Sequence, residues 1–138
     1  MTDAPRFSLA SVVIDCRDAR ALADFYRRLL GWTVAASEPD WVHLRSPDGA
    51  LGLSLQGESQ YRPPVWPERP GAQQKMIHLD IRVDDLEPAV RHALSLGATE
   101  AAGQPQDDVR VLLDPAGHPF CLFLSPVHED TTPRDQQM

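Results

Sequence analysis

Three side chains on one short stretch have the types and spacing for proton transfer. His78, Asp80 and Arg82 alternate along Ile77-His78-Leu79-Asp80-Ile81-Arg82-Val83. In an extended segment successive side chains point to opposite faces, so imidazole, carboxylate and guanidinium share one face and Ile77, Leu79, Ile81 and Val83 the other. An imidazole changes charge near neutrality, which makes His78 with Asp80 a candidate acid/base pair and places Arg82 beside them to orient a ligand. The competing reading is that His78 and Asp80 hydrogen-bond each other or the sheet and do no chemistry. Cys121 offers a thiol, but Phe120, Leu122 and Phe123 are apolar company, and a thiol turns nucleophilic only where neighbours lower its pKa. Trp41 and His43 share a strand face, while Tyr61 and Trp66 sit among Pro63, Pro64, Pro67 and Pro70. Rigid aromatics in such a loop either edge a pocket or dock the loop itself.

The elements that must hold these residues follow from periodicity. Phe7 to Cys16, with its Val12-Val13-Ile14 core, predicts a strand whose Ser11, Val13 and Asp15 share a face. Asp18 can cap a helix in which Leu22, Phe25, Tyr26, Leu29 and Leu30 recur at three-and-four spacing before Gly31. Strands are expected at Trp32 to Ser37, Trp41 to Arg45 and Ala50 to Gln56, the last two joined by the turn Ser46-Pro47-Asp48-Gly49. After a Pro-rich connector the pattern restarts. A strand spans Met76 to Val83. Asp84 or Asp85 caps a helix striped by Leu86, Ala89, Val90, Ala93 and Leu94, with Pro88 tolerated in its first turn and Gly97 at its end. A weaker segment near Thr99 precedes strands at Val109 to Leu113 and Phe120 to Leu124.

The sequence is therefore one unit written twice. Ser46-Pro47-Asp48-Gly49 returns as Asp114-Pro115-Ala116-Gly117 and Asp18 as Asp85, at offsets of 68 and 67 residues. Module one spans 7–56, the connector 57–75, module two 76–125, and a polar tail expected to fray 126–138. The fold class is α+β: two tandem βαβββ modules, each leaving one sheet face bare, which pair into a curved mixed sheet around a cleft with helices outside. A cleft between modules is the default binding site. Leu51, Leu53 and Leu55 alternate and are expected to make its first-module wall apolar.

Composition removes several function classes. The 138 residues suffice for one such domain, and the net charge of −7 repels phosphate backbones, with no basic cluster longer than Arg27-Arg28. No nucleic-acid partner is expected. No apolar run approaches the ~18 residues of a membrane span, and the N-terminus has no signal-peptide pattern, so the expectation is a cytoplasmic protein without a membrane partner. Cys16 and Cys121 lie apart with no CxxC spacing, as suits packed, reduced thiols.

Three segments resemble the vicinal oxygen chelate superfamily, the fold of glyoxalases, bleomycin-resistance proteins and extradiol dioxygenases. They are Asp18 to Trp32, with Phe25-Tyr26 and Leu30-Gly31; Ile77 to Leu86, with His78-Leu79-Asp80; and Leu113 to Leu122, with Asp114-Pro115-Ala116-Gly117 and Phe120-Cys121. They look most like the glyoxalase-like domain branch. The resemblance covers roughly residues 7 to 125 and implies fold far more than activity, since the fold hosts several chemistries. In metal-using members the ligands are a His or Gln on the first strand, a carboxylate on the fourth, a His on the fifth and a carboxylate on the eighth. Counting seven back from Asp18 and Asp85 gives Ser11 and His78; counting four on from Gly49 and Gly117 gives Leu53 and Cys121. One imidazole, one thiol and one hydroxyl are too few donors for a nickel, manganese or iron centre, so no metal and no other cofactor is expected. A slip in the fourth strand would bring Gln56 or Glu58 forward, and zinc on His78 and Cys121 would be the form of an unusual site.

The resemblance thus implies, first, a metal-free module that binds a small, flat organic molecule, with Ser11, Trp41, His43, Leu53, Tyr61, Trp66, Arg82 and Cys121 lining the site. The net negative charge favours a neutral or cationic ligand. Second stands a metal-independent lyase or isomerase using His78 and Asp80; third, a metal-dependent glyoxalase or dioxygenase; fourth, a purely structural partner protein. A homodimer is expected from the resemblance alone.

Overall fold

The computed structural model describes residues 5–104 and 107–124; the polar tail expected to fray lies outside them. The chain divides into two compact units, Met1–Pro63 and Pro64–Met138. The first contains β1 (Ser11–Cys16), α1 (Ala19–Leu30), β2 (Thr33–Glu38), β3 (Trp41–Arg45) and β4 (Gly52–Gly57). The second contains β5 (Leu79–Val83), α2 (Leu86–Ser95), β6 (Thr99–Glu100), β7 (Val109–Leu113) and β8 (Pro119–Leu124). Both are βαβββ modules. Each forms a four-stranded mixed sheet, β1-β4-β3-β2 in one and β5-β8-β7-β6 in the other.

In each sheet the first strand pairs in parallel with the last, and that ladder sets where the strands begin. β1 starts at Ser11, opposite Gly52, and not at Phe7; β5 starts at Leu79, opposite Phe120, and not at Met76. Before Ser11 one bond continues, from the Gly52 N–H to the Ala10 carbonyl oxygen, and β8 extends one residue further to Pro119, which has no N–H to give; Phe7, Leu9 and Met76 lie beyond and remain largely exposed. An unpaired apolar residue gains nothing from extension alone.

Helix α1 is held as the sequence predicts. The Asp18 carboxylate accepts a hydrogen bond from the Ala21 N–H, and Gly31, at φ 72°, ends the helix with its N–H on the Arg27 carbonyl. Asp85 stands at the N-cap of α2 without a side-chain capping bond. The stripe of α1 (Leu22, Phe25, Tyr26) packs on β1, β3 and β4, whose Ile14, Cys16, Val42, Leu44, Leu53 and Leu55 are all buried. In module two, Leu86, Val90 and Ala93 of α2 face a sheet whose Leu112, Phe120 and Leu122 are buried. On that same face Arg110 bonds Glu87 of α2 and, at 3.1 Å, Glu100 of β6.

Leu55 is fully buried in the middle of the β1-β4-β3 ladders. Leu55→Ala leaves a cavity that the flanking strands cannot close, so it is expected to destabilise the protein by about 2–5 kcal/mol, read by denaturant unfolding.

Candidate functional site

The pleat gives each sheet a helix-covered face and an opposite face, and the polar side chains gather on the second. In module one the parallel and antiparallel ladders align Val13, Ser54, His43 and Ala36 in one row across the four strands. Ser11, Gly52, Arg45 and Thr33 form the row on one side, and Asp15, Gln56, Trp41 and Glu38 the row on the other. Trp41 and His43, expected to share a face, do so by this register, with Ser11 on the same side.

Leu53 does not belong to this face. It is 4% exposed and pairs with Val12 and Leu44 on the helix side, as does Leu55 with Ile14 and Val42. Of the expected apolar wall, Leu53 and Leu55 thus belong to the helix-side core, while Leu51, just before β4, is exposed. The residue in register with Cys121 is Ser54: Val13 faces Ser54 across the parallel ladder as Asp80 faces Cys121. Ser54 lies five residues after Gly49, whereas Cys121 lies four after Gly117, so counting from the turn glycine misses by one. The signal available was the phase of Val42, Leu44, Leu53 and Leu55, which all had to stand under one helix.

Ser54 is fully buried and its hydroxyl has two partners. The Ser11 Oγ lies 2.8 Å away and the His43 Nδ1 2.7 Å away. Glycine at 52 is what seats the imidazole, since a Cβ there would lie 2.4 Å from the His43 Cε1 and 2.9 Å from the Ala10 carbonyl oxygen.

In module two the corresponding face carries the predicted polar trio. His78 sits one residue before β5, and its Nε2 is 3.2 Å from the Asp80 Oδ1. Asp80 pairs with Cys121, and the ligand atoms of His78, Asp80 and Cys121 all lie within 4.8 Å of one another. Arg82 follows on this face, its guanidinium 5.7 Å from the centroid of the Phe123 ring. Burial pushes the Cys121 thiol up, the Asp80 charge and the hydrogen bond to that carboxylate push it further, and Lys75 pulls it back only in part, leaving a pKa of about 11. At neutral pH the sulfur is therefore a protonated donor to Asp80 and not a nucleophile.

The two loop aromatics fall in different units. Tyr61, in the first, accepts a hydrogen bond on its backbone oxygen from Arg17 at 3.1 Å. Trp66, in the second, lies under Lys75, whose Nζ is 4.8 Å from the ring centroid and 3.2 Å from the Glu68 carboxylate. The cation–π contact and ion pair dock Trp66 against its own loop.

The divalent metal implied for metal-using members of the fold does not fit this donor set. At the two carboxylate positions stand Ser54, whose hydroxyl is engaged by Ser11 and His43, and Cys121, a thiol. His78 is engaged by Asp80. A hard cation prefers carboxylate oxygens, and at those two positions this chain has hydroxyl and thiol; the one nearby carboxylate, Asp80, stands with His78 and Cys121 in a nitrogen, oxygen and sulfur set that suits a softer ion such as zinc.

The glyoxalase-like domain family matches residues 11–123. No curated protein matches the sequence. Among solved structures, a glyoxalase/bleomycin resistance protein/dioxygenase family enzyme of Burkholderia phytofirmans is 20% identical, with 86% of this chain and 98% of that one covered at a TM-score of 0.65. A glyoxalase family protein of Enterococcus faecalis is 23% identical over 84% and 96% of the two chains, with a TM-score of 0.62. An antibiotic-binding protein of Streptomyces sp. CB03234 is 17% identical over 88% and 98%, with a TM-score of 0.57. The structural likenesses agree with the duplicated βαβββ architecture, and the family match over most of the chain places this protein in the glyoxalase-like domain family of the vicinal oxygen chelate superfamily.

Proposed function

We propose that this chain binds a small, flat organic molecule without a metal, on the polar sheet faces that its modules leave uncovered by their helices. The observation that carries the reading is the donor set: Ser11, Ser54, His78 and Cys121 stand where metal-using members carry imidazole or amide and carboxylate ligands. Hydroxyls, an imidazole and a neutral thiol can hydrogen-bond an organic ligand, and Trp41 on the module-one face can stack on it. The antibiotic-binding relative with the same fold lends support. The net charge of −7 favours a neutral or cationic ligand. By the family resemblance the chain works as a cytoplasmic homodimer, for which sedimentation should give twice the monomer mass.

A second reading is favoured by one geometric fact, the 3.2 Å approach of His78 to Asp80 beside Cys121. A carboxylate that orients an imidazole makes it an acid/base group for a metal-independent lyase or isomerase acting on a small carbonyl compound.

Metal analysis of the purified protein, followed by thermal-shift screening with aromatic metabolites and antibiotics, separates these readings. The expected result is substoichiometric metal and stabilisation that survives His78→Ala. Stabilisation lost in His78→Ala without metal would select the acid/base reading, and stoichiometric metal lost in that variant would overturn both.

The thiol supplies a further check. Cys16 is 1% exposed, so alkylation of the native protein reports Cys121. The reaction is expected to be slow at pH 7 and to accelerate as pH rises towards 11. Asp80→Asn removes the charge that disfavours the thiolate and should speed alkylation at neutral pH, by about tenfold for each pKa unit regained. An unchanged rate would show that Asp80 does not govern the thiol.

A further inference from the structure

The Ser11, Ser54 and His43 cluster on module one admits two polarities, and the Val12 carbonyl beside Ser11 favours one of them. The Ser11 hydroxyl has one proton and lies 3.2 Å from the Val12 carbonyl oxygen, which can only accept. If that proton goes to Val12, Ser11 Oγ must accept from Ser54 across 2.8 Å, and Ser54, its own proton spent, must accept from the His43 Nδ1 across 2.7 Å. With that polarity the imidazole carries its proton on Nδ1 and its Nε2 lone pair is left to accept; the reverse polarity, Ser11 to Ser54 to Nδ1, puts the proton on Nε2.

We propose that His43 is a hydroxyl-wired proton acceptor whose Nε2 receives the O–H of an aryl alcohol ligand. Two further observations support a built site. Gly52 leaves room for the imidazole where any side chain would collide with it, and Ser54 is held fully buried between its two partners. The aryl class follows from the surroundings on the same face: Val13, 41% exposed, pairs with Ser54, and Trp41 lies in the next row. Arg45 stands in the row of Gly52, and Gln56 and Glu38 flank Trp41 with Asp15 beyond Gln56, so the Gly52 side of His43 carries a cation and the Trp41 side carries the carboxylates. Such a ligand supplies the donor that Nε2 lacks and a flat apolar body for the tryptophan. This inference rests on the proposed small-molecule binding and names the chemistry of one of its contacts.

The test has two readouts. Long-range proton–nitrogen correlation spectra of ¹⁵N-labelled protein report the tautomer directly, with His43 assigned by its loss in His43→Phe. The expected state is Nδ1 protonated and Nε2 bare, shifting towards the Nε2-protonated form in Ser54→Ala and in Ser11→Ala. A wild-type ring protonated on Nε2 overturns the wiring without recourse to any variant. For the ligand, titrations with 4-cyanophenol and with its methyl ether 4-cyanoanisole compare the same body with and without the O–H. Binding of the phenol about tenfold tighter than the ether, with the difference abolished in His43→Phe, supports the proposal. Equal binding of the two, or binding of neither, overturns it; the proposed function stands or falls separately, on the metal analysis and the ligand panel.

Discussion

In each module the parallel ladder between the first and last strands decides which side chains stand under the helix and which stand on the opposite face. The pairing of β1 with β4 fixes Ile14 beside Leu55 in the core, and by the same pleat Val13 beside Ser54 on the other side. The pairing of β5 with β8 does the same for Leu79 with Phe120 and Asp80 with Cys121. A slip of one residue would exchange the two sets, burying Ser54 under α1 and turning Leu53 and Leu55 away from it. The apolar stripe of each helix and the register of each sheet therefore hold one another in place, and every functional contact described above inherits its geometry from that constraint.

Duplication then lets one scaffold carry two different chemistries. Ser11 and His78 occupy corresponding places, as do Val13 and Asp80, Ser54 and Cys121, and His43 and Val111. Module one builds a neutral line of hydroxyls ending in an imidazole; module two builds a charged cluster in which a carboxylate lies between an imidazole and a thiol. Burial first, and then the Asp80 carboxylate, keep the thiol protonated, because a thiolate in a half-buried site beside a second negative charge is disfavoured by desolvation and by repulsion. Neither arrangement resembles the oxygen-rich set that a hard divalent ion requires.

Much of this was legible in the residues. The stripe of α1, the Asp18 cap, the glycines that end α1 and form the turns, and the repeat at 67 and 68 residues are local or periodic signals that appear where they were expected; in α2, Leu86, Val90 and Ala93 are buried as expected but Leu94 is exposed, lying past the edge of the face that meets the sheet. The alternation of His78, Asp80 and Arg82 likewise placed them together, since a strand's pleat depends on nothing beyond the strand.

What only the tertiary structure decided is the relation between strands. Module one has one more residue than module two between its turn glycine and the matching position on the last strand, so the count that found Cys121 found Leu53 where Ser54 belongs. Strand starts also lay outside local reach, because Phe7 and Met76 are as apolar as their neighbours and differ only in having no partner opposite. The Ser11, Ser54 and His43 line crosses three strands, and the raised Cys121 thiol answers to a carboxylate 41 residues away in sequence. Sequence fixes what each strand presents on its two faces; hydrogen-bonded register, a property of pairs of strands, fixes which of those side chains meet.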